Sequence, residues 1–114
     1  KSYLKSKFIL VPNRTDASPR VLTEALCCNL PALLNYNIVG GWKYINKNSG
    51  ALFKNLKEIK EGANYIINNH KNIHPRKEYL EHYGYENAGK RFKEFIENNY
   101  KNKIDVSSYK YIKL

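Results

Sequence analysis

The sequence predicts an α/β fold in which short parallel strands are flanked by helices and the C-terminus is helical. Three observations carry that expectation. The apolar runs Phe8–Pro12, Ala32–Leu34 and Ala51–Phe53 have strand length and are bounded by turn residues. A helical segment, Pro19–Cys28, separates the first run from the second, and a strand–helix–strand unit this short is a parallel crossover. Such a sheet must be covered by helices, and the second half of the chain supplies apolar residues at helical spacing.

Taken in order, Lys1 to Lys7 reads as a helix end feeding the strand Phe8–Pro12. Ser18 is expected as the N-cap of the next helix, with Pro19 at its first position, where a missing N–H loses no bond. Val21, Leu22, Ala25, Leu26 and Cys28 form one broad apolar face. Asn29 ends this helix, because Asn tolerates the left-handed conformation, and Pro31 opens the strand Ala32–Leu34. Gly40-Gly41 marks a tight turn before a short helical piece, and Asn46–Gly50 a turn into the third strand. Leu56–Asn69 is a helix with Leu56, Ile59, Ala63, Ile66 and Ile67 at core-facing intervals; Gly62 inside it costs about 1 kcal/mol against Ala. After Pro75 comes a short segment, Arg76–His82, then a break at Tyr83-Gly84-Tyr85. Glu86–Asn99 is the last helix, with Ala88, Phe92, Phe95 and Ile96 on one face, and 101–114 is a basic, tyrosine-dotted tail.

Asp16 and Glu24, eight positions apart, are the most informative residues for function. One acid precedes the helix and the other lies within it. The unpaired amides of a first helical turn are a ready site for phosphate. Glu24 lies six residues beyond Ser18, roughly 9 Å along a helix axis. That is about the span from a diphosphate to the ribose hydroxyls behind it, so the pattern suits a nucleotide-sugar. The bland alternative is an exposed Arg20–Glu24 pair, four apart, which would stabilise little.

The segment Asp16-Ala-Ser-Pro-Arg-Val-Leu-Thr-Glu24-Ala-Leu-Cys-Cys-Asn-Leu-Pro31 resembles the donor-binding signature of GT-B glycosyltransferases, in the retaining group with two glutamates eight positions apart. Glu24, Ala25, Leu26, Asn29 and Pro31 fall in register with it. Asp16 is one methylene shorter than the usual glutamate, Ala17 and Ser18 stand for Gly-Phe, and Asn29 stands where Gly is common. The Gly40-Gly41 loop and the strand Ala51–Phe53 continue the likeness. The resemblance implies that Glu24 accepts hydrogen bonds from the donor ribose and that Asp16 contacts the transferred sugar. It implies that backbone around Ala17, Ser18, Pro19 and Arg20 faces the diphosphate and sugar, Pro19 having no N–H to give, with Thr23 on the same helix turn. The implied fold is half of a Rossmann-like GT-B donor-binding domain, and the implied activity is transfer of a glycosyl unit from a nucleotide-sugar to an acceptor, with retention. No metal or other cofactor is expected.

The likeness covers Tyr3 to about Tyr100 and corresponds to the C-terminal half of a nucleotide-sugar-binding domain (1–100), followed by the tail (101–114). A complete GT-B enzyme needs roughly three times this length. The expectation is a chain that works with a remainder of the enzyme, upstream or in another chain, and is catalytically incomplete alone. A non-catalytic interaction module on the same scaffold is the competing function.

A formal charge of +10 with ten tyrosines raises nucleic acid as a further alternative. Against it, sixteen lysines to four arginines and abundant asparagine follow an AT-rich genome's codon usage, and the lysines are interleaved with acids throughout. His70, His74 and His82 lack the Cys or paired acids that would complete a metal site. Cys27 and Cys28 are expected as buried, reduced thiols, consistent with a cytoplasmic location. Asn13-Arg-Thr15 has the form of a glycosylation sequon but falls in the proposed site turn. Trp42 and Tyr44 either line the cleft or belong to the core. No apolar run is long enough to span a bilayer.

Overall fold

A computed structural model describes residues 2–100 and 102–114; Lys1 and Lys101, which fall in the expected N-terminal helix end and the expected tail, lie outside them. The element order is α1 (Ser2–Lys5), β1 (Ile9–Val11), α2 (Arg20–Cys27), β2 (Ala32–Asn35), a 3₁₀ turn (Trp42–Tyr44), β3 (Gly50–Phe53), α3 (Leu56–Asn68), a second 3₁₀ turn (His70–Asn72), α4 (Pro75–Tyr83) and α5 (Tyr85–Tyr100). The fold is mixed α/β, and its strands form one parallel sheet in the order β1-β2-β3. The chain divides into two compact units, residues 1–79 and 80–114.

In the first unit β2 is central, and its period-2 alternation feeds two cores. Ala32 and Leu34 pack with Leu22 and Leu26 of α2, Val11 and Ile38. Leu33 points the other way, into Ile66, Phe53 and Ile73 beside Ala63 of α3. All three β2 residues are fully buried, as in a sheet covered on both faces. Helix α3 comes close to the sheet at Gly62, where an added Cβ would stand 2.5 Å from Leu33 Cδ1. That glycine, which lowers helix propensity, is what lets α3 sit tightly on the strand.

Helix α2 ends in a Schellman motif. Asn29 takes φ 59°, its N–H donates to the Leu26 carbonyl at 3.0 Å, and Leu30 N–H reaches the Ala25 carbonyl at 2.9 Å. Helix α3 starts at an Asn55 cap whose side chain accepts the Glu58 N–H at 3.0 Å. The β2-to-β3 crossover is not helical: residues 36–49 are loop and one 3₁₀ turn. Its last turn is built on Ser49, which is fully buried and whose hydroxyl donates to the Tyr44 carbonyl at 2.8 Å. Glu78 of α4 fixes the same turn, accepting from the Asn46 and Asn48 side-chain amides at 2.6 and 3.2 Å.

Three expectations about faces are corrected. Val21, Leu56 and Ile67 are 40%, 85% and 52% exposed, so the buried stripes are narrower than drawn: Leu22, Ala25 and Leu26 on α2, Gly62 and Ile66 on α3. Cys28 leaves the buried face because it is the C-cap, and both Cys27 and Cys28 are exposed free thiols rather than buried ones. Phe92 and Phe95 of α5 are likewise exposed.

In the second unit the segment 102–114 returns along α5. Ile112 N–H donates to the Gly89 carbonyl at 3.2 Å, and a side chain at Gly89 would collide with the Ile112 carbonyl. Tyr85 and Tyr111 pack edge to face with centroids 6.3 Å apart, and Val106 is buried. The break at Gly84 is spanned by Asn87, whose side-chain amide donates to the carbonyls of Leu80 and Glu81. Among the described residues no helix is long and apolar enough to cross a membrane.

Candidate functional site

The carboxyl ends of the three strands lie on one edge of the sheet, and the loops leaving β1 and β2 meet there. In open parallel sheets this edge is where ligands bind. Asn35, the last residue of β2, joins the two loops: its side-chain amide donates to the Pro12 carbonyl at 3.0 Å and its oxygen accepts the Asn37 N–H at 3.0 Å. The β2 loop then runs against the Asp16 turn. Val39 N–H donates to the Arg14 carbonyl and Gly40 N–H to the Asp16 carbonyl, both at 3.1 Å. A Cβ at Gly40 would overlap the Ala17 carbonyl, so only glycine allows this approach. Gly41 follows with φ 94° and packs on Pro19 and Leu22, turning the chain into the 3₁₀ segment.

The turn itself differs from the expected cap. Pro19, not Ser18, is the N-cap of α2, with φ −65° and ψ 100° and no side-chain cap bond; Arg20 is the first helical residue. The Ser18 N–H instead donates to Asp16 Oδ1 at 2.9 Å, an Asx turn. The physical reason is that the short Asp16 carboxylate reaches the amide two residues on. Two consequences follow: the Ser18 amide is already engaged, and Arg20 and Val21 carry the first-turn amides without intrahelical acceptors. Counted from the cap, Glu24 is thus five residues beyond Pro19, about 7.5 Å along the axis rather than 9 Å.

Of the remaining predicted site residues, Ala17, Ser18, Arg20 and Glu24 are exposed, Asp16 and Thr23 are half-buried, and Pro19 is buried beneath Gly41. The Thr23 hydroxyl donates to the Arg20 carbonyl at 3.0 Å, which turns it back onto its own helix. Among the described residues Arg20 and Glu24 form no ion pair, with each other or elsewhere. The bland helix-pair reading therefore has no bond behind it.

An open recess of about 280 Å³ adjoins the turn, lined by Ala17, Ser18, Gly40, Gly41, Trp42 and Lys43 among others. Trp42 also walls a second, apolar recess of about 300 Å³ with Tyr36, Ile38 and Leu52. Trp42, more than half exposed, and Tyr44 both line the first recess, and Tyr44, half-buried, also packs edge to face on Tyr79 at 5.4 Å. Burial, with Tyr44 and Cys27 nearby, raises the Tyr79 phenol above its ordinary pKa of 10.0. Lys43 and the loop brace at Gly40 were not among the expected site residues; the Gly40-Gly41 pair was their only trace in the sequence. A third recess, about 320 Å³, lies at the opposite edge around Lys7, His70 and Lys71, and none of the predicted site residues lines it. Among the described residues no group of three or more His, Cys, Asp or Glu side chains is placed to hold a metal ion.

No family model, curated protein or solved structure matches the chain.

Proposed function

We propose that this chain is the donor-binding portion of a GT-B-type glycosyltransferase, which moves a sugar from a nucleotide-sugar to an acceptor hydroxyl with retention. The observation that carries the reading is Glu24: an exposed carboxylate without an ion-pair partner among the described residues, one turn into the helix that starts at the carboxyl edge of a parallel sheet. In this reading Glu24 accepts the ribose hydroxyls. The amides of Arg20 and Val21 and the positive end of α2 face the diphosphate. Lys43 in the recess lining and Arg20 at the first position of α2 add cationic charge, stabilising the diphosphate as it departs. Asp16, fixed by its Asx turn, orients the transferred sugar, and Ala17, Ser18 and Pro19 shape the floor beneath it.

The chemistry asked of these groups is orientation and charge stabilisation. In the first unit thirteen Lys and Arg residues face five Asp and Glu, a balance that draws an anionic donor towards it. The test is Glu24→Ala in the full-length protein, assayed for sugar transfer from a panel of nucleotide-sugars. An enzyme loses most turnover and donor affinity. A scaffold without catalysis shows no transfer in either form and keeps its partners.

A further inference from the structure

The recess of about 320 Å³ at the amino ends of the strands is lined by Lys7, which precedes β1, and by Ile67, Asn68, His70, Lys71 and Asn72, which end α3 and form the 3₁₀ turn after it. One core cluster brings these distant segments together. Phe8, next to Lys7, and Ile73, two residues after Lys71, both pack with Leu33 and Ile66. The turn is fixed as well: Asn72 N–H donates to the Asn69 carbonyl at 2.8 Å. The backbone and side-chain N–H groups of Asn69 both donate to the Tyr65 carbonyl, at 3.0 and 2.8 Å. The fold therefore holds Lys7 and Lys71 at one opening, with His70 beside them. No carboxylate lines it, and among the described residues none of these three side chains has an ion-pair or hydrogen-bond partner. Like charges held at one opening repel, and a bound anion relieves the repulsion. The C-terminal end of α3 compensates only in part, because a helix end carries about half a negative charge against two full ammonium charges.

We propose that this recess is a second ligand site, which takes the phosphate group of a small, soluble phosphate monoester. It is independent of what the Asp16 turn binds, since no residue of that turn lines it. A monoester carries a charge of about −1.5 to −2 near neutral pH and three terminal oxygens. Two ammonium groups balance that charge, whereas a single carboxylate leaves about one positive charge over. The His70 ring and the Asn68 and Asn72 side-chain amides supply further donors for the oxygens. Ile67, 52% exposed, gives the carbon part of the ester an apolar contact. The volume lies at the lower end of the ~300–1,000 Å³ typical of small-ligand sites, enough for a phosphate and one small ring. A nucleic-acid strand matches less well, because each of its phosphates brings a single charge to a pair of lysines.

The test follows backbone amide resonances of the chain during titration with glucose 6-phosphate, glucose, glucuronate and oligothymidylate at low salt. Glucose 6-phosphate should give saturable shifts at Lys7 and residues 67 to 72, and glucose none. Glucuronate, with one charge fewer, should bind about fivefold more weakly. Lys7→Gln and Lys71→Gln should each weaken glucose 6-phosphate about fivefold, and added salt should weaken it in the parent. Both lysines are exposed, and circular dichroism checks that the variants fold as the parent does. Glucose 6-phosphate bound as tightly by the double variant as by the parent overturns the proposal. So do shifts spread over lysines elsewhere in the chain, and so does glucuronate or oligothymidylate held as tightly as the monoester. Co-sedimentation with phosphatidic acid vesicles that glucose 6-phosphate fails to displace overturns the soluble ligand in favour of a lipid headgroup.

Discussion

Gly40→Ala probes how the site is held together. The methyl group would enter the space of the Ala17 carbonyl, a backbone atom that cannot rotate aside. The β2 loop must then lift from the Asp16 turn and lose two hydrogen bonds, Val39 N–H to Arg14 and Gly40 N–H to Asp16, each at 3.1 Å. At about 0.5–1.5 kcal/mol net apiece, the loss is roughly 1–3 kcal/mol. Opposing it, alanine restricts the unfolded chain and would stabilise a compatible site by about 0.4–1 kcal/mol. The balance is a destabilisation of about 1–2 kcal/mol. Urea unfolding followed by Trp42 emission measures it, because Trp42 lies two residues away and reports the same loop. Nucleotide-sugar affinity should fall in parallel as the turn relaxes. A Gly40→Ala protein as stable as the parent, or more stable, refutes the close approach on which the site geometry depends.

Other outcomes are expected from the same contacts. Asn29→Ala should cost about 1–2 kcal/mol in urea unfolding, because φ 59° is unfavourable for a Cβ-bearing residue and the side-chain oxygen that accepts the Arg76 N–H at 3.2 Å is lost, while Asn29→Gly, which loses that bond without the backbone strain, should cost less. Leu33→Ala, which opens a cavity under α3, should cost about 2–5 kcal/mol by the same assay. The Tyr79 phenol is raised in the folded state, so its contribution is fully present below its ordinary pKa of 10.0 and is lost as pH rises through the folded value. Tyr79→Phe should therefore flatten the alkaline limb of stability against pH, measured by thermal unfolding between neutral pH and pH values above that pKa.

The fold was legible where local chemistry and burial agree. Strand length, the crossover spacing and Asn29 as a helix stop all follow from side chains acting on their own backbone, and each stands in the structure. Faces were harder. The apolar residues Leu56 and Ile67 fit a helical stripe as well as Ile66 does, but the sheet is only three strands wide and covers only a narrow line of α3. Gly62, marked in the sequence as a weakness, is the contact point itself. The cap was misplaced because Ser18 had two uses, as a side-chain acceptor for the helix or as an amide donor to Asp16, and spacing does not distinguish them. The brace at Gly40 joins residues more than twenty positions apart, a closeness that no local pattern encodes.

The most direct test follows backbone amide resonances while UDP- and GDP-sugars are added to the chain. Shifts concentrated at residues 16 to 24 and at Gly40 and Gly41, saturating with one nucleotide-sugar and abolished by Glu24→Ala, are the predicted result. Shifts confined to the Lys7, His70 and Lys71 recess, or a response in which Glu24→Ala binds as the parent does, would contradict a nucleotide-sugar site at the start of α2.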